Sequence, residues 1–357
     1  MNDSEYMRRA LELARRGVGL TSPNPPVGAI IVKDGQELGG GWHHAAGEPH
    51  AEVEALNDAF RRHGSAGLEG ATIYVTLEPC STQGRTGPCT TAIERSGLAR
   101  VVIGAGDPNP AHEGRAMGLL EEAGIEVVEG IEEASCEEII RAFSKVQKTG
   151  LPWLIIKTAM SLDGRITRPP TESQWLSGEE SRAEVQLLRG EADAILTSGR
   201  TVRADDPQLT LRSLDVAKEK KQPWRVVLTS RDDGVPESAR IRSDKQRKRT
   251  LIFIRQRIEC VLRELVSEHG VNTVLVEAGG GLVGRLLDEG WADELVVYLT
   301  PRLTGGPTPA TGGEGVGRLA ERLRLEGGQF QRFGNDVRLR AVLAGTGGQP
   351  NHGMIPE

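Results

Sequence analysis

Short apolar runs alternate with amphipathic segments along most of the 357 residues, and that alternation confines the chain to the α/β class. Met7, Ala10, Leu11 and Ala14 fall at i, i+3, i+4 and i+7 and predict a first helix with one apolar face, capped by Asp3 or Ser4. Val27–Val32 predicts a strand, Asp34-Gly35 a hairpin turn and Glu37–Trp42 the returning strand. Then come a helix over Ala51–Arg62, a buried strand over Thr72–Leu77 and a helix after Cys89. Strands at Arg100–Gly104 and Ile125–Val128 flank a helix at Arg115–Ala123, and Glu132–Lys148 closes the series as a helix. A βαβαβ core of this kind implies a mostly parallel sheet covered on both faces.

Thr149-Gly150-Leu151-Pro152 punctuates the chain. A second set of apolar runs follows at Trp153–Thr158, Ala194–Thr197, Trp224–Thr229, Thr250–Ile254, Thr273–Val276 and Asp293–Thr300, and predicts a second α/β domain. The expected domains are residues 1–148 and 152–345, with a loose tail at 346–357. Two domains suit the length, at roughly 100–200 residues each.

Several classes of function are disfavoured. No apolar run approaches the ~18 residues that span a bilayer. The N-terminal stretch mixes acids and bases without an apolar core, so neither a membrane partner nor a secretory signal is expected. Net charge is −6 and aromatics make up 4%, which argues against a nucleic-acid binder. Eight Lys/Arg residues fall between Arg240 and Arg257, and are read as a solvated loop and an exposed strand face. Without an export signal, cysteines 80, 89, 136 and 260 are not expected to form a disulfide framework, and the expected location is cytoplasmic.

Two segments of the first half carry chemistry. His50-Ala51-Glu52 stands at the start of a predicted helix, and Pro79-Cys80 through Pro88-Cys89 joins a buried strand to a helix. One imidazole and two thiolates give a zinc ion three protein ligands and leave the fourth position to water. The metal lowers the pKa of that water toward ~7. Helix N-termini favour the thiolate form of the cysteines. Glu52 is placed to take a proton from the water and pass it to a ring nitrogen and the leaving amine, which is the logic of the zinc deaminases. Eight residues separate the cysteines here instead of two, so the loop must double back to return Cys89 to the metal. Cys136 and Cys260 have no such context and are read as structural.

In the second half, the strand Val274–Val276 runs into Glu277-Ala278-Gly279-Gly280-Gly281-Leu282-Val283-Gly284-Arg285. Glycines at a strand-to-helix turn let backbone N–H groups approach a phosphate. The spacing satisfies G-x-G-x-x-G, but the acid expected about 20 residues on is not evident, and a plain flexible turn is the alternative. Polar loops at Ser161–Arg165, Glu172–Trp175 and Leu196–Pro207, the last continued by Leu209–Arg212, gather at one sheet edge, where α/β ligands bind.

These motifs carry a family resemblance. Pro23–Gly28, Gly47–Glu52, Thr76–Ser81, Gly84-Arg85-Thr86 and Asp107–Pro110 resemble the deaminase half of the bifunctional riboflavin-biosynthesis family RibD, and the eight-residue cysteine spacing is that family's own. The loops of the second half resemble its reductase half, and the resemblance covers nearly the whole chain. It implies a cytidine-deaminase-like three-layer α/β/α domain followed by a dihydrofolate-reductase-like α/β domain. The implied reactions are zinc-dependent hydrolytic deamination of 2,5-diamino-6-(5-phosphoribosylamino)pyrimidin-4-one, then NADPH-dependent reduction of the ribosyl to a ribityl chain, giving 5-amino-6-(5-phosphoribitylamino)uracil. By the same resemblance, His50, Cys80 and Cys89 hold zinc and Glu52 is catalytic. Asn24 and His43 face the pyrimidine, and the Ser81–Arg85 loop, with Arg85, faces the phosphate. Ala159, Trp175, Thr201, Asp205, Ser230, Gly279, Gly280, Gly281, Leu282, Val283, Gly284 and Arg285 take the NADPH side. Ser173, Arg189, Leu209, Arg212 and Glu277 take the substrate side. Arg189 and Arg212 suit a 5′-phosphate, because guanidinium pairs with phosphate in bidentate fashion. Lys157, at a strand end, is named as a proton or hydrogen-bond donor near the nicotinamide. A homo-oligomer is implied, as a dimer or tetramer.

The chain departs from the family pattern in places. Thr82 stands where a histidine is common, Pro26 where a polar residue is usual, and Thr229 replaces an acid before Ser230. His112 lies in a stretch that is usually Val-x-Gly and is read as surface. Three rivals stay open at this point: a nucleic-acid base deaminase with an appended domain, a binding protein whose zinc is structural, and a chain with one working half.

Overall fold

A computed structural model of the chain describes residues 1–82, 87–109, 114–166, 175–213, 217–218, 220–315 and 323–344. Arg85, His112, Ser173 and the 346–357 tail lie outside the described residues. The chain divides into two compact units, Met1–Gly150 and Leu151–Glu357.

In the first unit, α1 (Asp3–Gly17) buries the predicted stripe Met7, Ala10, Leu11 and Ala14. Its cap is Asn2, not Asp3 or Ser4. The Asn2 side chain accepts the Glu5 N–H at 2.9 Å while the Glu5 carboxylate accepts the Asn2 N–H at 2.8 Å, a reciprocal box that Asp3 and Ser4, already inside the helix, cannot form. β1 (Gly28–Lys33) and β2 (Gln36–Trp42) form a hairpin over Asp34-Gly35, both with positive φ. α2 (Ala51–Leu68), β3 (Thr72–Leu77), α3 (Cys89–Glu94), β4 (Arg100–Ala105), α4 (Arg115–Glu122), β5 (Glu126–Val128) and α5 (Glu133–Thr149) follow.

The strand order is β2-β1-β3-β4-β5. β3, β4 and β5 run parallel, whereas β1 is antiparallel to both its neighbours. The sheet is thus mixed instead of mostly parallel, because a two-residue turn can only return the chain antiparallel. Successive strand residues point to opposite faces and build two cores. Ile31, Ile73, Val75, Val101 and Ile103 pack with Ala51, Ala55 and Ala59 of α2. Ile30, Val32, Tyr74 and Val102 pack with Met7, Ala10 and Leu11 of α1. α2 lies so close on β2 that a Cβ at Gly41 would meet the Ala55 nitrogen at 2.4 Å.

The second unit holds β6 (Trp153–Ser161), α6 (Glu179–Glu191), β7 (Ala194–Ser198), α7 (Gly199–Asp205), β8 (Trp224–Thr229), α8 (Arg240–Ser243), β9 (Thr250–Ile254), α9 (Ile258–His269), β10 (Thr273–Val276), α10 (Gly280–Asp288), β11 (Glu294–Thr300), β12 (Leu325–Phe333) and β13 (Asp336–Leu343). Strands run in the order β12-β13-β11-β6-β10-β7-β8-β9. From β11 to β9 every pairing is parallel, so these strands end at one common edge. Leu154, Ile156, Leu196, Val226, Val274 and Val276 pack with Val261, Leu262 and Leu265 of α9 and Val283 and Leu286 of α10. Sequence reading missed the β12–β13 hairpin. Its signal was Gly334-Asn335, a two-residue turn with Gly334 at φ +58° that pairs Phe333 with Asp336. Most of β12 is exposed, so it lacks the apolar alternation that betrays a half-buried strand.

Candidate active sites

Three element ends converge in the first unit. His50 is the N-cap of α2, Cys80 follows β3 and Cys89 opens α3. His50 Nδ1 stands 3.6 Å from Cys80 Sγ and 3.3 Å from Cys89 Sγ, and the three ligand atoms lie within 4.8 Å of one another. Tetrahedral zinc held by imidazole and thiolate has ligand-to-ligand edges of about 3.5 Å, so this donor set fits that ion. The Cys89 backbone N–H, at the head of α3, donates to Cys80 Sγ at 3.3 Å. Hydrogen bonding from Cys89 overcomes burial and, with help from His50, draws the Cys80 thiol down to about 4. Cys89 moves the opposite way, because it donates to the Cys80 thiolate and is buried. A bound cation would favour the thiolate form of both cysteines.

Glu52 sits on the first turn of α2 and is 3% exposed; burial raises its pKa, and His50 opposes. Asn24 Nδ2 donates to His43 Nε2 at 3.0 Å, and His43 Nδ1 donates to the Pro49 carbonyl at 3.0 Å. That pairing assigns His43 a neutral ring with its proton on Nδ1. Burial lowers the His43 pKa, in keeping with a neutral ring. The His43 ring stands edge-on to His50 at 5.2 Å. Sequence reading gave Glu78 no role. It is buried just before Pro79 and accepts the N–H groups of Asp107 at 3.2 Å, Gly114 at 3.0 Å and Ala116 at 3.1 Å. It ties Asp107, Gly114 and Ala116 to the end of β3. The available signal was a carboxylate at the end of an apolar strand, where a buried charge needs partners.

In the second unit, Ser198 caps α7 by accepting the Thr201 N–H at 3.1 Å, and Thr201 Oγ1 accepts the Gly279 N–H at 3.4 Å. The turns after β7 and β10 are thereby joined. Gly279 is the N-cap of α10. A Cβ at Gly280 would meet the Pro309 carbonyl oxygen at 2.2 Å, and one at Gly284 the Gly312 carbonyl oxygen at 2.0 Å; at Gly281 it would meet nothing within 4 Å. Gly280 and Gly284 therefore serve packing, while the open space over Gly281 at a helix N-terminus fits a dinucleotide phosphate. The Val283 side chain is buried in the core, and Arg285 pairs with Glu289 at 2.6 Å.

Arg189 on α6 meets Glu277 at the end of β10. Its Nε and Nη2 donate to the two carboxylate oxygens at 2.6 and 3.0 Å, and its Nη1 donates to the Thr210 carbonyl at 3.0 Å. The fork that the sequence offers to a phosphate is thus engaged within the chain, because a guanidinium whose side chain is only 8% exposed needs an anion already in the fold. Burial pushes the Glu277 carboxyl up, but Arg189, then Lys157 and Arg212, outweigh it and hold it at about 2. Burial lowers the pKa of Lys157 on β6 while Glu277 opposes.

The remaining candidates are spread over several elements and loops of this unit. Ala159 lies on β6 beside Tyr298, Asp205 ends α7, and Leu209 is buried at φ +50°. Trp175 is 51% exposed with the Arg182 guanidinium 5.7 Å from its ring centre. The Ser230 carbonyl accepts from Arg255 at 3.2 Å, and the Thr229 hydroxyl accepts the Arg231 N–H at 3.2 Å. Of the basic stretch, Arg240, Arg242, Arg255 and Arg257 pair with Asp206, Glu237, Asp232 and Glu259.

Residues 1–105 match the cytidine and deoxycytidylate deaminase zinc-binding region, and residues 152–339 match the RibD C-terminal domain. The riboflavin biosynthesis protein RibD of Escherichia coli K12 is 40% identical over 372 residues, covering 96% of this chain and 100% of that protein. Its counterpart in Mycobacterium tuberculosis is 38% identical, covering 95% and 96%. Among solved structures, Acinetobacter baumannii RibD superposes with a TM-score of 0.85 at 37% identity, over 96% of this chain and 98% of that one. A Thermotoga maritima protein described as a diaminohydroxyphosphoribosylaminopyrimidine deaminase/5-amino-6-(5-phosphoribosylamino)uracil reductase gives 0.85 at 31% identity, with the same coverage. A zinc-type deaminase unit followed by a reductase unit defines a bifunctional deaminase–reductase. The chain belongs to the RibD family of riboflavin biosynthesis.

Proposed function

We propose that the chain acts twice on one phosphoribosylated pyrimidine. It first removes the 2-amino group of 2,5-diamino-6-(5-phosphoribosylamino)pyrimidin-4-one as ammonia, then reduces the ribosyl group to ribityl. The observation that carries the first half is the three-donor cluster with buried Glu52 two residues beyond His50. When bound there, zinc supplies an activated water, and NADPH supplies a hydride in the second unit. Glu52 takes a proton from the attacking water and delivers it as the C–N bond breaks and ammonia departs. Asn24, fixed by His43, presents its amide oxygen to a ring N–H.

In the second unit, the amides at Gly280 and Gly281 hold the dinucleotide, and Thr201 fixes the turn by accepting the Gly279 N–H. Ala159, Trp175, Asp205, Ser230, Leu282 and Arg285 complete the cofactor side, while buried Val283 and Gly284 seat the helix that carries the glycine turn. Arg212 takes the 5′-phosphate, Leu209 lines the wall, and Arg189 acts by holding Glu277 toward the substrate. With NADPH bound to supply hydride at C1′, Lys157 would donate a proton or hydrogen bond to the ring oxygen freed as the C1′–O4′ bond opens. Arg85 and Ser173 belong to the same reading of the substrate side. Zinc as a purely structural ion calls for four protein donors; the cluster among the described residues has three.

The test supplies the ribotide to the zinc-loaded protein with and without NADPH. Ammonia should appear without NADPH and vanish in Glu52→Ala, and NADPH should be oxidised only after deamination. Bound zinc without ammonia would refute the first half, and ammonia without NADPH oxidation the second. No described helix is long and apolar enough to cross a membrane. A homo-oligomer in the cytoplasm belongs to the same reading, and light scattering of the purified protein measures the first.

A further inference from the structure

The stretch Asp206–Arg212, between α7 and β8, has no regular structure among the described residues, yet side chains from elsewhere grip its backbone. Arg225 Nη1 donates to the Gln208 carbonyl at 3.1 Å and Arg189 Nη1 to the Thr210 carbonyl at 3.0 Å. Gln222 takes both the N–H and the carbonyl of Leu211, at 3.0 and 3.1 Å, and Gln186 accepts the Arg212 N–H at 2.7 Å. Two residues with side chains, Asp206 at φ +41° and Leu209 at φ +50°, sit in the left-handed region. Such conformations persist only where the surroundings over-determine them, and they cluster at ligand clamps.

On one side the over-determination comes from Arg225. Its side chain, on β8, is 0% exposed. Besides Gln208 it reaches Asp244 Oδ2 at 2.6 Å, Asp244 Oδ1 at 2.9 Å and the Ile241 carbonyl at 2.9 Å. A planar fork that takes a carboxylate in two bonds and two carbonyls besides is a strut that an ammonium cannot copy. Asp244 is held in turn, accepting the Gln246 N–H at 3.0 Å. From the same turn, the Arg240 N–H donates to Asp206 Oδ1 at 2.9 Å, and Arg240 Nε lies 3.2 Å from Asp206 Oδ2. The start of the basic stretch is therefore a buttress against this loop, a role that its charge pattern concealed.

We infer that Arg225 is a positioning residue of the reductase reaction: with Asp244 it locks the Gln208–Arg212 backbone, and so sets where Leu209 and Arg212 meet the phosphorylated sugar. The inference rests on the reading of Leu209 and Arg212 as substrate-side residues. The test uses full-length, zinc-loaded Arg225→Met, Arg225→Lys and Asp244→Asn with the deaminated ribotide and NADPH. In all three, KM for the ribotide should rise about tenfold or more while kcat changes far less, since contacts to the phosphorylated sugar are made equally in the ground and transition states. NADPH affinity, read by its fluorescence, and ammonia release should stay as in the wild type. Amide hydrogen exchange at 208–212 should quicken about tenfold, as expected when a local clamp opens. Arg225→Lys should not rescue KM, which separates the fork from the charge. If Arg225→Met fails to fold, Asp206→Asn, which loosens only the outer grip, should still raise KM with unchanged Tm. Folded variants with wild-type KM overturn the inference, whatever their exchange. A wild-type protein that does not reduce the ribotide refutes the functional reading instead, and exchange at 208–212 then decides whether Arg225 locks the loop.

Discussion

Glu277 shows how one buried carboxylate joins fold and chemistry. Its side chain is 14% exposed, and burial alone would favour its neutral form. Arg189 in bidentate contact, with Lys157 and Arg212 nearby, reverses that and holds it at about 2 against an ordinary 4.5. A carboxyl whose pKa is depressed on folding contributes stability that is present above the unfolded value and lost as pH falls through the folded one. The second unit should therefore weaken as pH drops from about 4.5 toward about 2. Four of the five tryptophans lie in that unit, at 153, 175, 224 and 291, so fluorescence during urea unfolding reads it. Glu277→Gln should cost about 3–5 kcal/mol at neutral pH, because it leaves Arg189 charged and unpaired, and should flatten the acid dependence. A variant as pH-sensitive as the wild type would show that Glu277 is not the group involved. Glu52 gives a sharper contrast in the first unit. Glu52→Gln should lower ammonia release by about 10²–10⁴ while zinc content stays at the wild-type level, because the carboxylate is not one of the three donors. Metal analysis of the purified variant checks this, and loss of the ion along with activity would count Glu52 among the groups that hold it.

At the level of elements, the site depends on how closely α2 is laid on β2. Gly41→Ala would drive a methyl into the Ala55 nitrogen and the Ala51 carbonyl oxygen, at 2.4 and 2.7 Å. The helix that carries His50 and Glu52 must then shift. We expect Gly41→Ala to destabilise by about 1–3 kcal/mol and to weaken zinc retention. Gly118→Ala, on α4 with open space around the new methyl, should stabilise by about 0.5–1 kcal/mol and leave zinc unaffected. Thermal melts and zinc titration of both variants compare the two. The same elements show what a sequence can reveal. Thr72–Leu77, Trp224–Thr229, Thr250–Ile254 and Thr273–Val276 are strands at their predicted bounds, because apolar runs between turn residues have few other uses. The metal cluster was legible for a different reason: its residue types are rare, and each sits at an element end that the pattern had already placed. β12 was not legible, since an exposed edge strand has no burial to write into its sequence. The partner of Arg189 was not legible either. A sequence shows a guanidinium, but its choice between Glu277 and a phosphate depends on which element folds over it.

Across the whole molecule, each unit has its own apolar packing, the first as two cores on the faces of β1, β3 and β4, the second on β6, β7, β8 and β10. All three candidate zinc donors come from the first unit, and the glycine turn, Lys157, Arg189 and Glu277 all come from the second. Metal binding adds stability only to the unit that holds the ion, by an amount that grows with the logarithm of free ligand over its dissociation constant. Without the ion, the half-buried His50 and Cys80 and the buried Cys89 lose the bonds that a cation would supply, and their donor atoms face one another directly. Chelation should therefore abolish ammonia release and lower the melting of the first unit, while NADPH-dependent reduction of the already deaminated ribotide continues near its original rate. Calorimetry with and without chelator, alongside the two assays, measures this. Restored zinc should return ammonia release in full, since the donors are held at α2, at α3 and just after β3, elements anchored in an apolar core by Ala51, Ala55, Val75 and Ile93. If chelation silenced both reactions equally, zinc would have to support the second unit as well, and the two chemistries could not be assigned to separate cores.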